Sequence, residues 1–439
     1  LLAEAFALLE AIRARGRSAV IAGGAVRDHV LGRPLTDADI ATDMPLEELA
    51  GIFTTHAVGR SKQFETVVVV RNGRAFEVTR FRGGAGPDPL RADTAHRDFT
   101  INALLLDAAG RVLDLQGGLA DLRARVVRAV GEPAERFAED PARLLRAVRF
   151  AACLDFTIEE RTAAAIHEMA PRLGGVAGER IGAEVLKMAA APGPAVARGI
   201  VLLDGLGLLR TVLPEVADLQ GLEHLPDKHP EGGVWEHTLA ALRASSAVDP
   251  AVNLAVLLHD VGKRPAHTLE AGRPRYHGHE HAGLGLIEAI ARRLFLPQRL
   301  RAALRFAVEH HGKCARFAEL RRSKRLALVA HEHWPTLRAV ALCDRAARGE
   351  AEGARLAGLI EAAEREAGSE RATRGAAPVI AGERIMALTG LPPGPRVGEI
   401  QRQVSDWALD EQIVAQEAIE AEVRRVAAAP QDDPRPAGQ

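Results

Sequence analysis

The sequence GGAVRDHVLGRPLTDADIAT occupies residues 23–42 and decides how the first part of the chain folds. The apolar run from Ser18 to Ala22 precedes it and predicts a short strand. Gly23 and Gly24 allow a tight turn, and Ala25 to Leu31 predict a helix that begins there. Free N–H groups and the positive end of the dipole at a helix start favour a bound polyphosphate. The first half of this stretch therefore predicts a phosphate-binding turn.

Two carboxylates follow in the second half of the stretch. Asp37 and Asp39 are two residues apart, and on a strand that spacing directs both side chains to one face. There they would hold Mg²⁺ over the phosphates. A solvated turn after Gly32-Arg33-Pro34 is the alternative for an isolated Asp-x-Asp, and the glycine turn upstream favours the metal site.

Composition sets broad limits. The 439 residues are 47% hydrophobic and 26% charged, which is typical of a globular chain with about three domains of ~150 residues. No apolar run approaches the ~18 residues of a membrane span, and no charged-then-apolar leader opens the chain. Three scattered cysteines predict neither a disulfide framework nor a zinc motif, so we expect a cytoplasmic protein. With a net charge of −1, any RNA contact would depend on local basic surface.

The pattern along the chain predicts an α+β fold, with a small mixed sheet followed by helices. Strands dominate from Ser18 to about Gly118, and the chain is rich in helix-forming residues after Asp121. Val67–Val70 and Ala75–Phe81 predict a hairpin whose turn contains Asn72-Gly73.

Glu77 is a candidate third carboxylate on the second hairpin strand. From there it could face Asp37 and Asp39 across the small sheet. Two-metal phosphoryl transfer uses such a cluster, in which one ion activates the attacking hydroxyl and the other neutralises the leaving group. A solvent-facing strand glutamate is the alternative.

Four segments in order resemble the class II tRNA nucleotidyltransferases, the bacterial CCA-adding enzymes, which share their head domain with bacterial poly(A) polymerases. These segments are 23–42, 97–104, 114–122 and 139–150. The resemblance implies that the 3′ hydroxyl of a tRNA attacks the α-phosphate of CTP and then of ATP. It also implies that Asp37, Asp39 and Glu77 form the catalytic Mg²⁺ site, with Gly23 and Gly24 in the nucleotide-binding turn.

Arginines would supply fixed positive charge for the triphosphate. The resemblance assigns this role to Arg27 and Arg97, because guanidinium groups suit bidentate phosphate contacts. For Arg27, a salt bridge with Asp28 on the helix surface is the competing role.

The last of the four segments combines a helix start with an arginine series. Pro141 suits the first position of a helix, which predicts Asp140 as its N-cap. Arg143, Arg146 and Arg149 follow at three-residue steps, and a solvated arginine stripe is the plain alternative. The resemblance implies that Asp140 and Arg143 read the Watson–Crick edge of CTP or ATP, with Arg146 and Arg149 supporting the nucleotide. Cytosine and adenine each place an exocyclic amine donor beside a ring acceptor, so one carboxylate and one guanidinium can read both.

A second centre is predicted further along the chain. The sequence LLHDVGK at 257–263 resembles the signature of the HD-domain metal phosphohydrolases. That resemblance implies a phosphodiesterase or phosphatase with the ligand set His237, His259, Asp260 and Asp344. It also makes 2′,3′-cyclic phosphate ends a candidate substrate. Such ligands suit Mn²⁺, Ni²⁺ or Co²⁺ better than Mg²⁺ alone. Five nearby histidines could hold a second metal or the substrate phosphate, or form a surface loop: His277, His279, His281, His310 and His311.

The resemblance also suggests a domain organisation and leaves several alternative functions open. The segment Gly59 to Val67 resembles that of CCA-adding enzymes more than that of poly(A) polymerases, although Glu65 replaces the usual glycine. We expect tRNA to lie along the helical part, held by its backbone and shape. The alternatives are a poly(A) polymerase, a partial enzyme that adds only CC or only A, and an HD phosphohydrolase with a non-catalytic RNA-binding head. The predicted domains are the head (1–122), the nucleotide-selecting neck (123–190), a helical body (191–228), the HD domain (229–350), a helical C-terminal region (351–429) and a disordered tail (430–439).

Overall fold

The computed structural model describes residues 1–57, 66–82, 87–224, 232–374 and 379–429. These residues form two compact units. The first contains Leu1–Ala217, Ser246–Pro250 and Ile290–Leu296, and the second contains Asp218–Ser245, Ala251–Ala289 and Pro297–Gln439. The expectations for the segment around Glu65 and for the tail 430–439 fall outside the described residues.

The strands of the first unit, within the described residues, form a seven-stranded sheet and one short pair. In chain order they are β1 (Ala19–Ala22), β2 (Asp39–Thr42), β3 (Thr54–Ala57), β4 (Thr66–Arg71), β5 (Arg74–Arg80), β6 (Leu104–Leu106), β7 (Val112–Asp114), β8 (Val126–Val127) and β9 (Thr157–Ile158). The sheet order is β3-β4-β5-β2-β1-β6-β7. Strands β2 and β5 run parallel and the other neighbours run antiparallel, so the sheet is mixed.

Local sequence accounts for these strands. All four residues of β1 are buried, which explains its wholly apolar run. The predicted hairpin is confirmed, because β4 pairs with β5 through a turn at Asn72 (φ 49°) and Gly73 (φ 73°). Both turn residues adopt the left-handed conformation that asparagine and glycine tolerate best.

The helices of the first unit cover the sheet and continue beyond it. They are α1 (Leu2–Arg13), α2 (Gly24–Val30), α3 (Leu46–Ala50), α4 (Pro89–Ala95), α5 (Gly118–Ala124), α6 (Pro133–Glu139), α7 (Ala142–Leu154), α8 (Glu160–Met169), α9 (Gly178–Ala189), α10 (Gly193–Gly205), α11 (Leu209–Val212) and α12 (Pro214–Ala217). Helix α7 packs against α9 and α10 through a broad apolar face. Helix α9 also touches the segment Ile290–Leu296, because a Cβ built on Gly182 would overlap the carbonyl oxygen of Leu294.

Where the structure describes it, the second unit is helical apart from one small hairpin. Its helices are α13 (Val234–Ala244), α14 (Pro250–Leu258), α15 (Lys263–Ala266), α16 (His279–Arg293), α17 (Gln298–Ala315), α18 (Arg322–Val329), α19 (Trp334–Ala347), α20 (Glu350–Arg374), α21 (Gly382–Thr389), α22 (Pro395–Asp410) and α23 (Gln416–Ala428), and its strands are β10 (Thr268–Glu270) and β11 (Arg273–Arg275). One core centres on Trp334, Leu337 and Ile360. A separate core contains Ile385, Val404 and Val423 in the last three helices.

The α+β prediction is confirmed: a mixed sheet at the start of the chain is followed mainly by helices. Two short strand pairs, β8–β9 and β10–β11, interrupt the otherwise helical part. No helix in the described ranges has the length and apolar character needed to cross a bilayer.

Candidate active site and candidate metal centre

Three carboxylates lie on or next to two neighbouring strands of the head sheet: Asp39 begins β2, Asp37 lies two residues before it, and Glu77 lies in β5. Asp37 and Asp39 are exposed and alternate with buried residues, so both side chains point to the same face. Strand β2 pairs parallel with β5, with Ile40 opposite Val78, which puts Asp39 beside Glu77. Glu77 is exposed between two buried residues of β5. The chain thus brings the three predicted acids to one open region.

The electrostatics of Asp39 show how close these acids are. Partial burial and the negative charges of Glu77 and Asp37 raise the pKa of Asp39 to about 6, although the Arg97 and Arg82 charges oppose the shift. A divalent cation would relieve this like-charge repulsion, and three carboxylates are a suitable donor set for Mg²⁺. Within the described residues, the groups of three whose ligand atoms all lie within 4.8 Å of one another belong to the second unit, so the head carboxylates are spaced more widely.

The glycine turn makes room for an arginine. Gly23 has φ 79° and ψ −137°, and helix α2 begins at Gly24, one residue earlier than predicted. A Cβ on Gly23 would lie 3.2 Å from Arg97 Nη1. Glycine at this position therefore allows the guanidinium group to approach the turn closely.

Arg27 is buried and has partners on two elements. Its Nη1 donates to Asn102 Oδ1 over 2.7 Å, while Nε and Nη2 donate to Asp28 at 3.0 and 2.8 Å. The Asp28 salt bridge is thus present. The contact with Asn102 also ties α2 to the segment before β6.

Buried Asp93 accepts hydrogen bonds from two arginines near the carboxylates, Arg97 and Arg82. Its Oδ2 accepts from Arg97 Nε and Nη2 at 2.9 and 2.8 Å, and its Oδ1 accepts the backbone N–H of Arg82 at 3.0 Å. Burial and the neighbouring Arg97 charge lower the pKa of Arg82. Arg82 was not predicted as a site residue. Its position just after β5, the strand that carries Glu77, could have indicated that it lies near the carboxylates.

Asp140 serves two donors with separate oxygens. Oδ1 accepts the Ala142 N–H at 3.1 Å, and Oδ2 accepts from Arg180 at 2.8 Å. Helix α7 begins at Ala142 with Pro141 at the N-cap position, so the prediction of Asp140 as N-cap is one residue too early, although Asp140 still binds the first N–H of the helix. Burial alone would raise the pKa of Asp140, but the Arg180 contacts and the helix N–H lower it. Arg143 donates to Glu139 Oε2 at 2.8 Å.

The other two arginines of α7 are held by acids that sequence reasoning missed. Arg146 Nε donates to Asp98 Oδ2 at 2.8 Å, and Arg149 Nε donates to Glu184 Oε2 at 2.6 Å. Asp98 also accepts from Asn102 Nδ2 at 3.2 Å. Burial opposes ionisation of Asp98, but the Arg146 charge and hydrogen bonds lower its pKa to about 2. These arginines are therefore not a freely solvated stripe.

The predicted ligands of the second unit lie together in its interior. His237 Nε2 is 2.9 Å from Asp344 Oδ1, and His259 Nε2 is 3.1 Å from Asp260 Oδ2. All four side chains are buried. His237, His259 and Asp260 form one of the two tight ligand groups found in the described residues.

Asp260 also belongs to the second tight group, with His279 and His311. The Nε2 atoms of these histidines lie 3.4 and 3.5 Å from Asp260 Oδ1 and 3.1 Å from each other. The Nδ1 atoms of His259, His279 and His311 contact carbonyl oxygens of Val256, Tyr276 and Val308 at 2.7, 2.9 and 2.8 Å. A carbonyl only accepts, so each Nδ1 carries a proton, and each ring is oriented with Nε2 toward Asp260 as the atom that a metal would bind.

The remaining candidate histidines lie elsewhere. The His277 side chain is 79% exposed beside Glu270, and His281 is exposed. His310 contacts Lys313 and the ring of Phe306. The structure therefore selects His279 and His311 from the five candidates.

A lysine and a tyrosine flank this centre. Lys263 Nζ donates to Asp260 Oδ2 at 2.6 Å and lies 3.4 Å from His224 Nε2. Its ammonium is also 5.6 Å from the centroid of the Tyr276 ring. Burial would raise the pKa of Asp260, but His259 and Lys263 hold it well below the ordinary range. His224 and Tyr276 were not identified from the sequence, because neither belongs to the HD signature.

Comparison with known proteins gives consistent results. The family model "Poly A polymerase head domain" matches residues 19–128, and "Probable RNA and SrmB-binding site of polymerase A" matches residues 155–219. The chain is 34% identical over 429 residues to the A-adding tRNA nucleotidyltransferase of Deinococcus radiodurans, which covers 91% of this chain and 94% of that protein. It is 37% identical over 320 residues to the multifunctional CCA protein of Halorhodospira halophila, covering 68% and 74% of the two chains. The crystal structure of the Bacillus stearothermophilus CCA-adding enzyme in complex with CTP superposes with a TM-score of 0.72 at 27% identity and covers 96% of each chain.

Proposed function

This chain belongs to the family of the bacterial CCA-adding tRNA nucleotidyltransferases, and from that premise we propose that Asp37, Asp39 and Glu77 are its catalytic Mg²⁺ ligands. The observation that carries the proposal is their convergence at the start of β2 and on the neighbouring β5, where partial burial and the charges of Glu77 and Asp37 raise the pKa of Asp39 to about 6. Bound Mg²⁺ would activate the attacking hydroxyl and neutralise the pyrophosphate leaving group. The three carboxylates would hold the ions near Arg82 and Arg97, whose positive charges act on Asp39.

The nucleotide would lie between the head and the first helices of the neck. Arg27 and Arg97, beside the Gly23-Gly24 turn, would bind the triphosphate. Arg146 and Arg149 would support the nucleotide from α7. We assign residues 1–122 to the chemistry and 123–190 to nucleotide selection.

Base selection would depend on Asp140 and Arg143. Asp140 would accept a hydrogen bond from the exocyclic amine of cytosine or adenine, and Arg143 would donate to the adjacent ring nitrogen. Uracil and guanine present the opposite polarity at these positions, which leaves buried groups unpaired. Support comes from the exchangeable contacts of Asp140 Oδ2 with Arg180 and of Arg143 with Glu139.

The reaction is the addition of C, C and A to the 3′ end of a tRNA from CTP and ATP. One relative that matches over 94% of its length is an A-adding tRNA nucleotidyltransferase, and another is a multifunctional CCA protein. The test uses tRNA transcripts that lack CCA, lack CA or lack only A, each with labelled CTP, ATP or both. Addition that stops after C, C and A supports the proposal. Extension of only the CC-ending tRNA identifies an A-adding enzyme, arrest at CC identifies a CC-adding enzyme, and an ATP-only tail on any RNA identifies a poly(A) polymerase.

Catalysis by the head is tested with single variants. Asp39→Asn should lower kcat by about 1,000-fold or more, because an amide is a poor ligand for Mg²⁺. Glu47→Gln, which changes an exposed acid of α3, is the matched control. Nucleotide addition by Asp39→Asn at the wild-type rate would reject Asp39 as a catalytic ligand. No nucleotide addition by wild type would support the rival in which the head only binds RNA.

The second unit supports a second activity. We propose that the metal centre formed by His237, His259, Asp260, Asp344, His279 and His311 hydrolyses phosphate esters. The specific observation is that Asp260 belongs to two tight ligand groups, which together would offer donors for two ions. Imidazole and carboxylate donors suit Mn²⁺, Ni²⁺ or Co²⁺, and a bound ion would supply an activated water. Lys263 would bind the phosphate of the substrate.

This activity is tested separately from nucleotide addition. Hydrolysis of 2′,3′-cyclic AMP and of p-nitrophenyl phosphate is measured with each metal. His259→Ala should abolish hydrolysis and leave nucleotide addition unchanged, while His277→Ala should affect neither. Because Cys153, Cys314 and Cys343 are free thiols, we place both activities in the reducing cytoplasm.

A further inference from the structure

Three arginines of the proposed nucleotide site converge on one aromatic ring. Phe150 lies in the last part of α7 and is 6% exposed. The guanidinium carbons of Arg149, Arg27 and Arg146 lie 4.1, 5.1 and 5.3 Å from its ring centroid. All three distances are within the ~6 Å over which a cation is attracted to the face of an aromatic ring.

The ring is itself held by the head. Phe99 meets Phe150 edge to face, with centroids 5.8 Å apart and planes at 78°. Phe99 is fully buried and follows directly after Asp98, the partner of Arg146. The orientation of the Phe150 ring is therefore fixed by a residue of the same segment that anchors the arginine cluster.

Each arginine also has a carboxylate partner. Arg27 pairs with Asp28 at 2.8 Å, Arg146 with Asp98 at 2.6 Å, and Arg149 with Glu184 at 2.6 Å. These acids hold the guanidinium groups through their N–H donors, which are the same groups that a phosphate needs. When a triphosphate binds, carboxylate and phosphate compete for those donors.

An aromatic ring does not take part in that competition. It attracts the positive charge of the guanidinium group and accepts none of the conventional hydrogen bonds that carboxylate and phosphate oxygens take from the N–H donors. The ring can therefore keep a guanidinium group in place while its hydrogen bonds pass from a carboxylate to a phosphate oxygen. Its burial excludes water, which strengthens the attraction.

We propose that Phe150 is a positioning residue for nucleotide binding, whose ring keeps Arg27, Arg146 and Arg149 gathered while they exchange carboxylate for phosphate partners. The inference rests on the nucleotide-binding roles proposed above for these arginines. Phe150 touches no reacting atom, so its effect is on the affinity for CTP and ATP rather than on the chemical step.

The test replaces Phe150 in the full-length protein with phenylalanines carrying one, two or three ring fluorines. Fluorine weakens the negative face of the ring with little change in its shape. The Kd for CTP should rise steadily with each fluorine, to about tenfold for the trifluoro ring. The kcat at saturating CTP should change less than twofold, and the thermal midpoint should remain the same.

The same series at Phe137, a fully buried ring of α6, is the matched control. A Kd for CTP that stays within twofold across the Phe150 series overturns the inference, as does an equal trend at Phe137. The variants Arg27→Ala and Arg149→Ala test the nucleotide-binding role of the arginines independently of Phe150. If both weaken CTP binding while the fluorine series is flat, only the role of Phe150 is wrong. If neither weakens it, the proposed nucleotide site is wrong and the inference fails with it.

Discussion

Arg146 places Nε and Nη2 at 2.8 and 2.6 Å from a single oxygen, Oδ2 of Asp98. The pair joins helix α7 to the segment that precedes β6, which is the segment that also holds Asn102 and, through it, Arg27. One buried carboxylate thus holds Arg146 of α7 and also contacts Asn102, the residue that holds Arg27.

Asp98 should stabilise the protein in a pH-dependent way. Its pKa is about 2 in the folded state against an ordinary 3.8, so the ionised pair contributes about 2 kcal/mol above pH 4. This contribution is lost as the pH falls through 2, because the folded carboxylate then takes up a proton. Asp98→Asn should therefore lower the free energy of unfolding of the first unit at pH 7. The deficit, measured by urea denaturation, should shrink between pH 4 and pH 2.5; a constant deficit would contradict this account.

Asp39 should change the pH dependence of stability in the opposite direction to Asp98. Its pKa is raised to about 6, so folding favours the protonated form, and stability without metal should fall as the pH rises from about 4 through 6. With EDTA present, Asp39→Asn should have a higher thermal midpoint than wild type at pH 7.5 and an equal one at pH 3.5. Added Mg²⁺ should raise the midpoint of wild type alone. An Mg²⁺ response that survives in Asp39→Asn would argue against this carboxylate as a ligand.

Arg143 should control nucleotide choice. Arg143→Ala removes the proposed donor to the base edge, which should reduce the preference for CTP over UTP by about 100-fold in kcat/KM. Single-nucleotide addition to a tRNA lacking CCA measures this ratio. Arg161→Ala is the control, because Arg161 is an exposed arginine paired with Glu132. Unchanged discrimination in Arg143→Ala would reject the base-reading role.

His279 and His311 should determine the metal content of the second unit. His279→Ala and His311→Ala each remove a ligand from one tight group and leave His237, His259 and Asp260 intact. Metal analysis after equilibration with Mn²⁺ should give two ions per chain for wild type and about one for either variant. His277→Ala should retain two ions, since that side chain is 79% exposed. One ion per chain in wild type would refute a paired centre.

A side chain at Gly182 should destabilise the first unit. A Cβ there would overlap the backbone oxygen of Leu294, so Gly182→Ala should lower the free energy of unfolding by about 2 kcal/mol. The control is Gly174→Ala, because a Cβ on Gly174 enters open space. Thermal unfolding of both variants measures the difference. Equal midpoints would mean that α9 can move away from the Ile290–Leu296 segment without cost.

The sequence alone predicted those structural features that depend on only a few consecutive residues. The apolar run of β1, the Asn72-Gly73 hairpin and the alternation around Asp39 are local, because a strand directs every second side chain to the same face. The order of the motifs gave the family, and with it the α+β class. These properties depend on the chain near each residue, so they can be read without knowing the fold.

Tertiary structure decided which distant groups meet. It paired Arg146 with Asp98 and Arg149 with Glu184, placed three arginines around Phe150, and selected His279 and His311 over His277 and His310. His310 and His311 are the same residue type and adjacent in sequence, but they point to different sides of α17. Only the packing of α16 and α17 fixes which side faces Asp260. Contacts between residues far apart in sequence depend on the path of the whole chain, which no local pattern encodes.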